Sequence, residues 1–171
     1  MPELPEVETT VRGLARFLDG QRIVRAAVNR PDMRRPFPVD LVQALTGAVV
    51  TGLERRAKYG LIHTDRARSI VFHLGMSGRW RIDPETPDKH DHFVLETAGH
   101  RFALCDPRRF GWVDLVDTDA LDQWPAFAAM GPEPLGPDLT AEHLKGAFKG
   151  RKQAIKLLLL DQGIVAGLGN I

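Results

Sequence analysis

The sequence predicts an α+β fold: an N-terminal helix, a two-layer antiparallel β-sandwich, and a helical segment after it. Three observations predict it. Apolar residues near the start recur at helical spacing. From about residue 22 to residue 116 the apolar period falls to two, and turn residues break the run at short intervals. Beyond residue 137 the helical period returns.

Val7, Val11, Leu14, Ala15 and Leu18 put one apolar stripe on the first helix. Pro5 suits its first turn, and Glu6 and Glu8 sit where the helix dipole favours acids. Gly20 marks the stop. Arg22–Asn29 alternates and reads as a strand; Pro31, Pro36 and Pro38 make a loop; Val39–Leu45 reads as a short helix closed by Gly47. Short strands follow at Val49–Arg56, Tyr59–Thr64, Ser69–Leu74, Arg79–Asp83, Phe93–Thr97, Phe102–Asp106 and Trp112–Val116. So many short strands at this spacing suit two packed sheets. Pro125, Pro132, Pro134 and Pro137 then punctuate a linker over 121–137. Thr140–Phe148 and Lys152–Asp161 read as two helices, with Thr140 in an N-cap context. Gly163, Gly167 and Gly169 form a turn, and Asn170 reads as the N-cap of another helix. The helical unit over 138–171 is therefore expected to be cut short.

Composition narrows the function. Of 171 residues 43% are hydrophobic and 26% charged, which excludes disorder and coiled coil as whole-chain readings. A chain this long buries roughly 70% of its unfolded surface and needs no disulfide or metal staple. Lys and Arg total 23 against 22 Asp and Glu, so a nucleic-acid partner must be argued from local patches. One cysteine, Cys105, excludes a disulfide framework or a cysteine-rich zinc site within the chain and suits a reducing compartment. The longest aliphatic run, Leu157–Leu160, is too short to span a bilayer, and Met1–Glu8 carries three acids and no base, unlike a targeting signal. A cytoplasmic protein without a membrane partner is expected.

Several residues could carry chemistry. With Met1 removed, Pro2 offers a secondary amine that can attack an electrophilic carbon and leave an iminium. Its α-amino pKa of about 7.7–8.0 leaves a neutral fraction at neutral pH. Glu3, beside it, is a candidate general acid or base. Arg55, Arg56 and Lys58 form one basic cluster, and Arg108 and Arg109 a second. Lys145, Lys149, Arg151, Lys152 and Lys156 form a third, five bases and no acid in twelve residues. Each could pair with phosphate or be a solvated cationic face. Glycine turns present Met76, and Arg108 with Phe110; such residues could fill the gap left by an extruded base or lie in the core. Lys89-His90-Asp91-His92 could be a metal pair or a phosphate contact.

Taken together, the sequence resembles the formamidopyrimidine-DNA glycosylases. The likeness rests on Met1-Pro2-Glu3-Leu4-Pro5-Glu6-Val7-Glu8-Thr9, Arg55–Gly60, His73-Leu74-Gly75-Met76-Ser77-Gly78, Lys89–His92, Asp106-Pro107-Arg108-Arg109-Phe110-Gly111, Gly131–Leu135, Ala154-Ile155-Lys156 and Gly167-Leu168-Gly169-Asn170-Ile171. The resemblance implies a bifunctional glycosylase and abasic-site lyase that removes oxidised purines (8-oxoguanine, formamidopyrimidines) from damaged double-stranded DNA. It implies that Pro2 attacks C1′, Glu3 protonates the sugar ring oxygen, Lys58 assists β-elimination and Glu6 supports the pocket. His90, Arg108, Lys152 and Asn170 fall at DNA-contacting positions, and Met76, Arg108 and Phe110 at void-filling ones. Residues 1–120 would be the catalytic domain and 138–171 the start of a helix–two-turn–helix element, in a bacterial, monomeric, cytoplasmic protein. The family's zinc sits in a four-cysteine finger that has no counterpart here, so no metal is expected on this chain. The alternative is a remnant that is inactive or binds DNA weakly. A tautomerase reading would explain Pro2 but leave Met76, the Arg108–Phe110 turn and the 145–156 bases without purpose.

Overall fold

The structure, a computed structural model, describes residues 1–170. Helix α1 (Leu4–Leu18) opens the chain, with Val7, Val11, Leu14 and Leu18 buried along one stripe. Strand β1 (Arg25–Val28) and the short helix α2 (Leu41–Leu45) follow. Next come β2 (Val50–Arg56), β3 (Tyr59–Thr64), β4 (Arg68–His73), β5 (Arg79–Ile82), β6 (Asp91–Glu96), β7 (Arg101–Cys105) and β8 (Trp112–Asp117). One sheet has the order β1-β6-β7-β5 and the other β2-β3-β4-β8, with every pairing antiparallel. This is the α+β sandwich that the alternating pattern predicts.

The core lies between the sheets and under α1, around Phe72, Phe93, Phe102, Ile62, Ile70 and Leu95. The second sheet is covered on its other face too. Leu61, Val71, Trp112 and Val116 point outward and pack on Phe127, which is 1% exposed. Phe127 lies in the one-turn helix α3 (Pro125–Ala128), which follows a 3-10 turn at Thr118–Gln123. Two buried faces explain why β3 and β4 read as continuous apolar runs. They also explain why the segment read as the start of a linker is packed: its aromatic residues cover the sheet.

Two elements differ from what the sequence predicts. Arg22–Asn29 is divided between the sheets: Arg22 bridges Val49 beside β2, whereas residues 25–28 pair with β6. A period of two cannot report which neighbour a strand takes. Helix α4 (Ala141–Phe148) starts as expected, with Thr140 Oγ1 accepting from the His143 N–H at 3.1 Å. The next helix, α5, spans only Ile155–Leu159 and starts after Ala154, which offers no side-chain cap. The helix start read at Asn170 continues onto Ile171, which lies outside the described residues.

Candidate active site

The first group of site residues forms where α1 begins. Glu3 is its N-cap, and the Glu3 N–H donates to Glu6 Oε2 at 2.9 Å, so the helix end holds Glu6 in place. That bond keeps the Glu6 carboxyl below its usual range. The Glu3 side chain turns inward and is buried at 7% exposure. Its partner is Lys58, whose Nζ lies 2.5 Å from Glu3 Oε2. Burying a carboxylate is costly even with one lysine beside it, which sets Glu3 apart from the apolar residues of the core. Pro2, half-buried, precedes it directly.

Lys58 is delivered by the two-residue turn between β2 and β3. Ala57 takes a φ of 52° there, a strained conformation for a residue with a side chain. Glu133 holds it: Oε1 accepts from the Ala57 N–H at 2.5 Å, while Oε2 accepts from Arg55 at 2.9 Å. Arg55 also donates to Glu8 of α1 at 2.8 Å. Arg55 is thus a strut joining three segments, and Arg56 pairs with Asp122. The first basic cluster is consequently no open phosphate patch. Its spacing on a strand end was visible; its acid partners, 47 and 78 residues from Arg55, were not.

The glycine turn closes the site. Gly167 has a φ of 87° and lies against Leu4 and Ala57. A Cβ on Gly169 would overlap the Glu3 carboxylate. This brings exposed Asn170 to the same end of the molecule as Glu3 and Lys58. Beside them is a cleft of about 460 Å³ lined by Lys58, Tyr59, His73, Met130 and Gln162, among others. His73 is pushed down to about 4 by burial, helped by Lys58, Arg34 and Arg35, so it is neutral at pH 7. Its Nδ1 accepts from the Gly75 N–H at 3.0 Å. In the sequence His73 stands out only as part of its glycine-turn motif; the desolvation that sets its charge is a tertiary property.

Two turns form a second group. Gly75, at a φ of 62°, packs against the backbone of Phe110 and Gly111 with no room for a Cβ. Asp106, fully buried, ties them: Oδ1 accepts from Ser77 Oγ at 2.5 Å and Oδ2 from the Gly111 N–H at 2.8 Å. Met76 and Phe110 are each 40% exposed, and the Arg108 guanidinium lies 4.7 Å from the Phe110 ring centroid. The turns therefore hold Met76, Arg108 and Phe110 outward, beside a cleft of about 400 Å³ lined by Met33, Arg34, Arg108, Arg109 and Phe110. An Asp-Pro dipeptide, which favours a turn, is the local signal that could have pointed to Asp106.

His90 is half-buried, and its ring centroid is 6.1 Å from that of buried His92. His92 Nε2 donates to the Asp106 carbonyl at 2.9 Å, so the histidine pair leads back to the same turn. Asp91 is occupied by Arg81, and among the described residues no group of three His, Cys, Asp or Glu could hold a metal. The family's zinc does not fit the residues present: the sole cysteine, Cys105, is fully buried in β7. Lys152 is exposed with Lys145, Lys149, Arg151 and Lys156, and none of the five is in an ion pair among the described residues. Among the described residues, no hydrogen bond or ion pair joins Lys152 or His90 to Glu3. Among the described residues no helix is long and apolar enough to cross a membrane.

Pro2, the buried Glu3 carboxylate and Lys58 thus meet at one helix end, with cationic turns elsewhere on the surface. The model of the formamidopyrimidine-DNA glycosylase N-terminal domain matches residues 1–113. The chain belongs to the formamidopyrimidine-DNA glycosylase family. The chain is 78% identical over 171 residues to the formamidopyrimidine-DNA glycosylase of Erythrobacter litoralis. It is 74% identical over 172 residues to that of Novosphingobium aromaticivorans. All of this chain is covered in both, and it spans 63% and 64% of those relatives' lengths. Among solved structures it resembles Lactococcus lactis Fpg in complex with DNA containing N7-benzyl-Fapy-dG, with a TM-score of 0.91 and 34% identity over 99% of this chain and 64% of that one. The complex of the same protein with abasic-site DNA gives 0.90 and 33%, over 99% and 63%.

Proposed function

We propose that the protein is a DNA glycosylase and abasic-site lyase that removes oxidised purines from duplex DNA. One observation carries this reading: the buried Glu3 carboxylate paired with Lys58 at the helix end, directly after Pro2. The damaged DNA bound to the Lactococcus lactis relatives supports the choice of substrate.

The chemistry follows from the chain's own groups. Removal of Met1 frees the Pro2 nitrogen, whose lone pair adds to C1′ of an extruded nucleotide as the bond to the base breaks; the proton the nitrogen then sheds neutralises the departing base. Glu3 delivers a proton to the sugar ring oxygen, the ring opens, and the nitrogen's electrons form the iminium. Lys58, in contact with Glu3, is placed to resupply that proton and to assist proton transfer as β-elimination expels the 3′ phosphate. Met76, Arg108 and Phe110 would occupy the space the nucleotide leaves and offset part of the few kcal/mol that extrusion costs. His90, Arg108, Lys152 and Asn170 are assigned to DNA contact, and Glu6 to support of the helix end. Residues 1–120 would hold the reacting groups and 138–170 would face DNA. The reading places a monomer in the bacterial cytoplasm, with its substrate.

The test is borohydride trapping on abasic-site duplex, with removal of Met1 checked by mass spectrometry. A covalent adduct that disappears in Pro2→Ala is expected. Absence of an adduct from correctly processed protein overturns the assignment and favours a non-catalytic DNA-binding remnant.

A further inference from the structure

The Gly167–Gly169 stretch that closes over Glu3 is tied by a side chain that precedes it. Gln162 Nε2 donates to the carbonyls of Leu160 at 3.1 Å and Leu168 at 2.9 Å. Its Oε1 accepts from the Gly167 N–H at 2.8 Å. Its backbone carbonyl accepts from the Gly131 N–H at 2.9 Å, so the residue itself is anchored. A carboxamide carries two N–H donors and an acceptor on one planar end, and here all are used on backbone. No other uncharged side chain except asparagine, one methylene shorter, could do this.

The placement gives those bonds a consequence. A segment with glycine at 163, 167 and 169 has little conformational restraint of its own. Gly169 nonetheless packs on the Glu3 carboxylate so closely that a methyl group would not fit. Gln162 also lines the cleft it shares with Lys58 and His73. We propose that Gln162 is a positioning residue for base excision: its carboxamide fixes the Gly167–Gly169 turn, and the turn holds the Glu3 carboxylate where it must give up its proton. This rests on the reading of Pro2 and Glu3 above.

The role separates two reactions. Excision of a base needs the Glu3 proton as the sugar opens. A preformed abasic site has no base to expel and opens to its aldehyde in water, so it leans on the Pro2 nitrogen and Lys58. In the full chain, single-turnover excision of 8-oxoguanine and cleavage of abasic duplex are measured for Gln162→Ala and Gln162→Glu, with Glu3→Gln and Pro2→Ala alongside. Both Gln162 variants are expected to lose about 10- to 100-fold in excision, the scale of a misplaced catalytic group, with abasic cleavage near wild type. Gln162→Glu should regain excision, relative to wild type, as the pH is lowered, because a protonated glutamic acid again donates a hydrogen bond; Gln162→Ala should not. Equal losses in both reactions, or no loss in either, overturn the proposal. If Gln162→Ala does not fold by circular dichroism, the Gln162→Glu pH profile decides: recovery supports the role, and a profile parallel to wild type overturns it. Full excision by Glu3→Gln or Pro2→Ala would instead remove the reading on which the proposal stands.

Discussion

Single residues set the charge and the space at the site. His73 is neutral because the aromatic residues Tyr59 and Trp112 bury it among cations. Its folded pKa of about 4 lies below the unfolded 6.5, so the unfolded chain takes up the proton first as the pH falls. The contribution is complete above about pH 6.5 and is lost progressively towards about pH 4, a change of about 3 kcal/mol. Urea unfolding across that range should show it, and His73→Gln should flatten the dependence; an unchanged slope would refute the burial argument. Gly169 governs space. Gly169→Ala drives a methyl group into the Glu3 carboxylate and should cost about 100-fold in single-turnover base excision. Wild-type excision by that variant would mean that the turn moves aside freely.

Elements bring these residues together through packing that their own patterns do not disclose. Tyr59, Trp112, Trp124 and Phe127 form an aromatic cluster that seats α3 on the second sheet. Phe127→Ala should therefore cost about 3–5 kcal/mol, read from the urea midpoint. A loss below about 1 kcal/mol, typical of surface positions, would show that α3 is not integral to the core. Most strands were legible because one or both faces are buried and β-branched or aromatic residues fill them. The crossing of residues 22–28 between sheets was not legible, since alternation looks the same beside either neighbour. Pro-rich composition near residue 125 suggested a linker; aromatic contacts make it part of the packed body.

Across the whole molecule, charge is nearly balanced yet unevenly placed. The acids Glu3, Glu8, Glu133 and Asp122 form ion pairs with Lys58, Arg55 and Arg56. The exposed bases of residues 145–156 have no such partners among the described residues. With exposed Arg108, they are charge that the proposed function would direct at phosphate. Lys152→Ala should lower DNA affinity similarly for damaged and undamaged duplex, and flatten the slope of log affinity against log salt by about 1. A slope identical to wild type would exclude a Lys152–phosphate contact.

Composition, periodicity and motif order settled the fold class, the family and the residue types at the N-terminal site, because each is local along the chain. Distances between remote segments were not in that record. The pairing of Glu3 with Lys58, the burial that discharges His73, the Arg55 strut and the Gln162 brace join residues dozens of positions apart. Side-chain identity names a group's possible chemistry. Desolvation and neighbours, which exist only after the chain has folded, select the charge and the contacts it will use.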